Sequence, residues 1–309
     1  MEKLRGRVIK STGSWYEVKT ESGEVFQSRL RGKFKQQGMK INNPIAVGDW
    51  VMIEEEGEKG SAVIKDIEPR QNYIIRQSTR KSAFSHIIAS NLDQAILVAT
   101  LSFPRTSLGF IDRFLVSAES FRIPSILVLN KTDLMDEEAM DQALVLKALY
   151  ESIGYPTFLI SVLENEGLEE VRAYLRGKIS LISGHSGVGK SSLLNALIPD
   201  LALKVGVVSK FANKGTHTTT FAQMFEMEAD SAIIDTPGIK ELGLVEMQQE
   251  EISDYLPEMR AFLGKCKFNN CLHVNEPHCA VLEAFVAGEI SDSRYMSYIS
   301  MLEDSDNRR

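Results

Sequence analysis

The sequence predicts a protein of three parts: a small N-terminal β-barrel, a central α/β unit on a parallel sheet, and a mostly helical C-terminal segment. Three observations predict this division. Five short strand patterns fill the first seventy residues, and strands then alternate with helices from about residue 90. All three cysteines fall within fourteen residues near the C-terminus. We place the parts at residues 1–72, 73–245 and 246–309.

Length and composition set the outer limits. The chain has 309 residues, of which 43% are hydrophobic and 25% charged, as in ordinary globular proteins. This excludes a disordered or fibrous protein. No apolar run approaches the ~18 residues of a membrane span, and the charged N-terminus does not read as a signal peptide. We therefore expect a cytoplasmic monomer without a membrane partner.

Charge is distributed unevenly along the chain. Residues 1–40 hold ten Lys/Arg and four Asp/Glu and so carry +6, although the net charge of the whole chain is −7. A basic segment on an acidic protein is typical of one module that contacts nucleic-acid phosphates. A basic surface that is merely solvated is the other interpretation.

The N-terminal part reads as a five-stranded barrel. Its strands are predicted at residues 6–10, 15–20, 24–30, 49–54 and 62–67. An OB-fold, which often binds oligonucleotides, is a natural candidate, although strand count alone does not exclude an SH3-like barrel. The long, basic gap between the third and fourth strands predicts a functional loop.

The central part alternates strands and helices, which indicates a parallel sheet with crossover helices. Strands are predicted at residues 95–101, 125–130, 157–161, 179–183, 224–227 and 232–235. Helices are predicted at residues 111–121, 136–152, 167–176 and 191–197. The polar stretch at residues 201–221 reads as a loop.

A complete P-loop pattern stands between a predicted strand and a predicted helix. Its glycines let backbone N–H groups face phosphate oxygens at a helix N-terminus. Lys190 is expected to reach the β- and γ-phosphates, and the Ser191 hydroxyl to bind Mg²⁺. The predicted nucleotide-binding residues here are Gly184, His185, Ser186, Gly187, Val188, Gly189, Lys190, Ser191 and Ser192.

A base-recognition element, Asn130-Lys131-Thr132-Asp133, follows the strand at residues 125–130. Alone it would be only a turn, but beside a P-loop it predicts guanine selection. The Asp133 carboxylate can accept hydrogen bonds from guanine N1–H and the 2-amino group, and adenine offers neither donor. Asn130 and Lys131 are expected to pack beside and over the base, so the nucleotide is GTP. The Ser161-Val162 pair is placed to contact the guanine edge through main chain, although a strand-end serine is often only a turn residue.

A further strand ends in Asp235-Thr-Pro-Gly238. Asp235 is expected to hold the Mg²⁺ shell through water. The Gly238 N–H is expected to contact the γ-phosphate, a contact that is lost on hydrolysis and can release a loop.

The segment Gly215-Thr-His-Thr-Thr-Thr220 is the candidate for the other switch. Either Thr218 or Thr219 is expected to complete the Mg²⁺ coordination. The position where many GTPases carry a water-orienting Gln is Ile239, which cannot hydrogen-bond water. His217 is our hypothesis for that catalytic role, and local capping or packing is the alternative.

The order of these elements is itself informative. The base-recognition element precedes the P-loop by 54 residues, whereas it follows the P-loop in ordinary GTPases. If the pocket is the usual one, the chain is circularly permuted. The second switch then leads directly into the C-terminal part.

The pattern Cys266-x4-Cys271-x-His273-x5-Cys279 offers three thiolates and an imidazole, a closed ligand set for one structural Zn²⁺. His278 is a competing ligand that ranks below His273. Clustered core cysteines are the other interpretation. An odd cysteine count in a reducing compartment argues against disulfides.

Taken together, the motifs resemble the ribosome small subunit-dependent GTPase A family over essentially the whole chain. The resemblance implies slow GTP hydrolysis that is faster on the small ribosomal subunit, binding late in subunit assembly, and help in releasing another maturation factor. It also implies contact with rRNA and alternation between GTP and GDP. One departure is Thr216, where the family's loop usually has Arg, which leaves any role of that arginine in phosphate or RNA contact open.

The sequence is therefore compatible with two main functional hypotheses. The first is a GTPase whose hydrolysis times its departure from the maturing subunit. The alternative is a GTP-gated rRNA-binding scaffold or chaperone in which hydrolysis is incidental, as Ile239 would favour. A generic ATPase is a distant third.

Overall fold

The structure is a computed structural model that describes residues 3–30, 44–57, 59–77, 85–198, 201–203, 221–228, 230–236 and 247–304. The strands are β1 Lys3–Ser11, β2 Tyr16–Thr20, β3 Val25–Leu30, β4 Trp50–Glu55, β5 Ser61–Ile67, β6 Tyr73–Gln77, β7 Ser85–Ser90, β8 Gln94–Ala99, β9 Ser125–Asn130, β10 Thr157–Ile160, β11 Ile179–Ser183, β12 Ala222–Glu226 and β13 Ala232–Asp235. The helices are α1 Leu108–Ser120, α2 Glu137–Ser152, α3 Leu168–Leu175, α4 Lys190–Leu197, α5 Pro257–Arg260, α6 Ala280–Val286 and α7 Asp292–Asp304.

Strands β1 to β5 form the predicted N-terminal barrel. They pair in the order β1-β2-β3-β5-β4, and β4 returns to β1 to close the barrel. The β3–β5 pair is parallel and the other barrel pairs are antiparallel. Alternating side chains face inward, because strand side chains point to opposite faces with a period of two. The barrel core therefore contains Val8, Val18, Val51 and Ile53 from the strands, and Ile45 from the segment before β4 joins them.

The central sheet is the predicted crossover fold. Strands β10, β9, β8, β11 and β13 lie side by side and parallel. Helices α1 and α2 cover one face, where Ile111, Leu115 and Tyr150 join the core. Helices α3 and α4 cover the other face through residues such as Val171 and Leu193. Burial on both faces explains the continuous apolar runs of β8 and β9.

Two features of the sheet differ from the sequence expectation. Strand β12 is antiparallel to β13, and its outer edge pairs with β1 of the barrel at Ser11↔Ala222 and Lys10↔Gln223. Barrel and α/β unit therefore share one eleven-stranded sheet. The hairpin β6–β7, which the sequence reading did not identify, forms a separate two-stranded sheet between them.

The C-terminal unit (residues 247–304) is mostly helical, as predicted. It begins with a 3-10 helix, Gln249–Tyr255, and continues through α5, α6 and α7. Its core contains Leu256, Met259, Tyr298 and Met301 together with Cys271. Among the described residues, no helix has the length and apolar character needed to cross a membrane.

Candidate guanine-nucleotide site and metal centre

The carboxyl ends of the parallel strands gather the predicted nucleotide elements at one edge of the sheet. The phosphate loop follows β11, the Asn130–Asp133 element follows β9, and Ser161 follows β10. Asp235 ends β13, which lies beside β11 with Ile182↔Asp235 in register. This edge is where ligands bind in open α/β sheets.

At two glycines of the phosphate loop, both the backbone conformation and the available space exclude a side chain. Gly184 and Gly189 have φ values of +143° and +98°, in the region that favours glycine. A Cβ at Gly184 would lie 2.2 Å from the Val98 carbonyl oxygen, and one at Gly189 would lie 2.3 Å from Asn130 Nδ2. Neither position can accept a side chain without displacing its neighbour.

Lys190 opens α4 and reaches back across the loop. Its Nζ donates to the carbonyl oxygens of Gly184 and His185, at 2.7 Å each. The ammonium group therefore lies against the first two residues of the phosphate loop. Phosphate oxygens are the ligands that such a set of donors prefers.

Asn130 ties the base element to the phosphate loop. Its side chain is 2% exposed, and Nδ2 donates to the Val188 carbonyl at 2.8 Å. Its Oδ1 accepts from the Val162 N–H at 3.3 Å. The sequence reading placed Asn130 only beside the base, whereas these bonds show that it also holds three loops together.

Asp133 is exposed, and its carboxylate orientation is set by Ser161. The Ser161 hydroxyl donates to Asp133 Oδ1 at 2.6 Å and accepts from the Glu164 N–H at 3.1 Å. Ser161 itself is fully buried. The sequence reading assigned Ser161 to a main-chain contact and missed this side-chain bond, which joins residues 28 positions apart.

Lys131 has a left-handed backbone (φ +68°), and its Nζ donates to the Phe103 carbonyl at 2.9 Å. Burial lowers the pKa of Lys131, and the Asp133 charge opposes that shift. Thr132 is buried in the short 3-10 helix that carries Asp133. The loop from β8 to α1, which carries Phe103, thus also shapes the site.

Two oxygen donors for a divalent cation lie on neighbouring elements. Ser191 is in the first turn of α4, and Asp235, 4% exposed, ends the strand beside β11. A hydroxyl and a carboxylate fit Mg²⁺, which prefers oxygen ligands. The other predicted switch residues, His217, Thr218, Thr219 and Gly238, lie outside the described residues, as do Thr216 and Ile239.

The four predicted metal ligands meet in the C-terminal unit. One ligand atom each from Cys266, Cys271, His273 and Cys279 lies within 4.8 Å of the others. The Cys266–Cys279 sulfur distance is 3.8 Å, and His273 Nδ1 lies 3.6 and 3.3 Å from these sulfurs. A tetrahedral zinc site has edges of about 3.8 Å between sulfurs and about 3.6 Å between nitrogen and sulfur. The cluster can therefore hold a metal such as zinc.

The surrounding chain orders this cluster. The Glu276 carboxylate accepts from the Leu272 and Val274 N–H groups at 2.7 and 2.8 Å, and Tyr295 donates to the His273 carbonyl at 2.7 Å. Burial raises the pKa of Glu276, but these backbone bonds outweigh it and hold the pKa below its usual value. His278, the weaker ligand candidate, is exposed and lies outside the cluster.

Burial disfavours charge within the cluster. It raises the pKa of the Cys271 thiol to about 12, with the neighbouring thiols adding to the shift, and it raises the pKa of Cys279. Burial also lowers the pKa of His273, which keeps the imidazole neutral as a metal ligand must be. A bound cation would reverse the preference of the thiols, because thiolate is the ligand form.

Fold and site together define a circularly permuted P-loop GTPase with an N-terminal barrel and a C-terminal cysteine-histidine cluster. The family description "RsgA GTPase" matches residues 67–245, and "RsgA N-terminal domain" matches residues 5–64. The chain belongs to the RsgA GTPase family, as the sequence resemblance predicted.

Individual relatives agree over nearly their full lengths. The small ribosomal subunit biogenesis GTPase RsgA of Bacteroides fragilis is 50% identical over 303 residues, covering 98% of this chain and 97% of that protein. The protein of the same name from Cytophaga hutchinsonii is 50% identical over 307 residues, covering 99% and 100%.

Two crystal structures are similar over the whole chain. YjeQ from Thermotoga maritima is 37% identical with a TM-score of 0.81, and all of both chains is covered. YloQ, described as a circularly permuted GTPase, is 28% identical with a TM-score of 0.76, covering 100% of this chain and 96% of the other. These structures confirm the predicted fold and its permuted order.

Proposed function

We propose that this GTPase binds the small ribosomal subunit in the cytoplasm, as a monomer, and couples GTP hydrolysis to late subunit maturation. Hydrolysis would time its own release or that of another factor. The observation that carries the proposal is the Asp133 carboxylate, which Ser161 orients beside a complete phosphate loop. The relatives named for small-subunit biogenesis support this choice of partner.

In this proposal each part of the chain has its own role. The barrel, within residues 1–72, contacts rRNA phosphates through its basic loops. The permuted GTPase unit, within residues 73–245, binds the nucleotide. The C-terminal part, residues 246–309, carries one structural Zn²⁺ on Cys266, Cys271, His273 and Cys279 and also contacts rRNA.

The phosphate loop and Lys190 would hold the β- and γ-phosphates, and the Gly238 N–H would contact the γ-phosphate. Mg²⁺ bound with GTP would be held by Ser191, by Thr218 or Thr219, and through water by Asp235, and would neutralise phosphate charge. Because Ile239 cannot orient water, we assign that task to His217.

Replacing His217 with Ala tests the catalytic assignment. GTP hydrolysis depends on positioning the attacking water. Turnover of the His217→Ala variant should therefore fall by about 100-fold or more, while its GTP affinity changes little. Single-turnover hydrolysis and equilibrium GTP binding would be measured separately. Unchanged turnover would exclude the catalytic role and leave His217 as a local packing residue.

One residue, Ile239, favours the scaffold alternative. Measuring GTP turnover with and without purified small subunits distinguishes it from the GTPase proposal. We expect stimulation of about tenfold or more, since subunit binding would position the catalytic residues for hydrolysis. Turnover unaffected by subunits would favour the scaffold. Competition with ATP serves as the control for base specificity.

A further inference from the structure

Helix α1 contacts both the phosphate loop and the C-terminal unit. It has 13 residues and so is about 20 Å long. Near its N-terminus the Phe110 ring stacks on the ring of His185, with centroids 3.8 Å apart and planes tilted by 30°. His185 is the second residue of the phosphate loop, so movement of that loop would act directly on α1 through Phe110.

A second face of α1 lies against the C-terminal unit. Asp112, Val116 and Glu119 recur at spacings of four and three, which places them on one side of the helix. Val116 is buried in the core of the C-terminal unit. Glu119 Oε2 accepts from Arg260 at 2.8 Å. These three residues therefore form a row along α1 that leads away from the nucleotide site.

The centre of this contact is a buried ionic network. Arg294 of α7 is fully buried and donates to Asp112 Oδ1 and Glu258 Oε1, at 2.6 Å each. Tyr150 of α2 donates to the same Asp112 oxygen at 2.8 Å. Desolvation opposes the charge on Arg294, but the two carboxylates outweigh it and raise its pKa. Such a network permits few arrangements, because each partner that moves leaves a buried charge unpaired.

The remaining face of α1 anchors it to the sheet through Ile111, Phe114 and Leu115, all buried. Because α1 is packed on several faces, we expect it to move as a rigid body. Packed interfaces such as these shift between discrete arrangements. The C-terminal unit also has a direct chain connection to β13 through residues 237–246. Nucleotide binding can therefore reach this unit by two routes, and the routes can be separated by mutation.

We propose that α1 couples the phosphate loop to the C-terminal unit, with Phe110, Asp112 and Arg294 as positioning residues. Occupancy of the loop then sets how the C-terminal unit docks. By reciprocity, a partner that binds the C-terminal unit changes the affinity of the loop for nucleotide. The inference rests on the proposed guanine-nucleotide site.

The test is amide hydrogen exchange of the full-length protein with a saturating non-hydrolysable GTP analogue, with GDP and without nucleotide. In the unaltered protein the analogue should change exchange in α5 and α7 by about fivefold or more. Phe110→Ala should abolish this change at equal nucleotide occupancy. Phe121→Ala is the matched control, because Phe121 packs on the same core at the other end of α1 and does not touch the loop.

Asp112→Asn provides a second variant, since it removes the charge that Arg294 faces but keeps an acceptor oxygen. It too should reduce the nucleotide-dependent exchange change. If the nucleotide-dependent exchange change persists in Phe110→Ala, the coupling runs through residues 237–246 and the inference is overturned. The inference is also overturned if the unaltered protein binds nucleotide but shows no change in exchange in α5 and α7. Failure of the analogue to bind at all would instead overturn the proposed function.

Discussion

One hydrogen bond orients the Asp133 carboxylate, the group that we propose recognises guanine. The sequence predicts Asp133 from its motif, but it does not predict that the Ser161 hydroxyl donates to it. The contact arises because β9 and β10 are parallel neighbours with Asn130↔Ile160 in register, so the residues that follow them meet. The spacing of motifs along the chain does not show which strands are neighbours, so it could not predict this hydrogen bond.

Asp133→Asn should reverse the base preference. The amide NH₂ would face the guanine 2-amino group, donor against donor, whereas it can donate to the 2-oxo group of xanthine. We expect GTP affinity to fall by about 100-fold or more and affinity for xanthosine triphosphate to rise. Equilibrium binding of both nucleotides measures this. Ser161→Ala is the control and should weaken GTP binding by about tenfold without changing the preference.

Arg294 is the other side chain whose effect should be large. Replacing it with Met leaves the Asp112 and Glu258 carboxylates buried without their cation. We expect a loss of about 3–5 kcal/mol in the unfolding free energy of the C-terminal unit. Arg260→Met is the matched control, because the Arg260–Glu119 pair is about half exposed on the arginine side and should cost less than about 1 kcal/mol. Urea unfolding measures both, and equal losses would contradict the account.

Among the secondary-structure elements, most strands and helices begin and end within two or three residues of their predicted bounds. The antiparallel direction of β12 was available from the sequence, because only residues 227–231 connect it to β13 and a parallel crossover needs a dozen or more. The β6–β7 hairpin lacked any chemical motif to reveal it. The β1–β12 pairing could not be predicted, because it joins edges of two separate folding patterns.

That pairing predicts a consequence of removing the barrel. Deleting residues 1–72 removes the β1 hydrogen bonds and the Lys19–Glu226 ion pair from β12. We expect amide exchange in β12 to accelerate by about tenfold or more, because unpaired edge groups open readily. Deletion should also weaken small-subunit binding while GTP still binds. Lys19→Glu is the control, which removes the ion pair but keeps the strand pairing. Unchanged exchange after deletion would contradict the shared sheet.

We expect the cysteine-histidine segment to depend on a bound zinc ion in addition to its apolar core. Cys271→Ser should lower the zinc content from one ion per chain and loosen the C-terminal unit, since binding energy at such sites is folding energy. Zinc analysis and the thermal unfolding of that unit would show the loss. His278→Ala is the matched control and should retain the metal. Full zinc binding by Cys271→Ser, or its loss in His278→Ala, would contradict the ligand set.

Across the three parts, the chain places one nucleotide site between two other units. The permuted order makes β13 lead into the C-terminal unit, while β12 carries the barrel on its outer edge. Both strands flank segments that are predicted to contact the γ-phosphate or Mg²⁺. Sequence motifs could predict the permutation and the cysteine-histidine cluster, because both are patterns of residue type. They could not predict these inter-unit contacts, which depend on packing.

The most direct test is the affinity of the full-length protein for purified small ribosomal subunits with a non-hydrolysable GTP analogue, with GDP and without nucleotide, at one fixed salt concentration. If the γ-phosphate contacts the segment that leads into the C-terminal part, binding with the analogue should be about tenfold or more tighter than with GDP. Equal affinities in all three states would contradict the account.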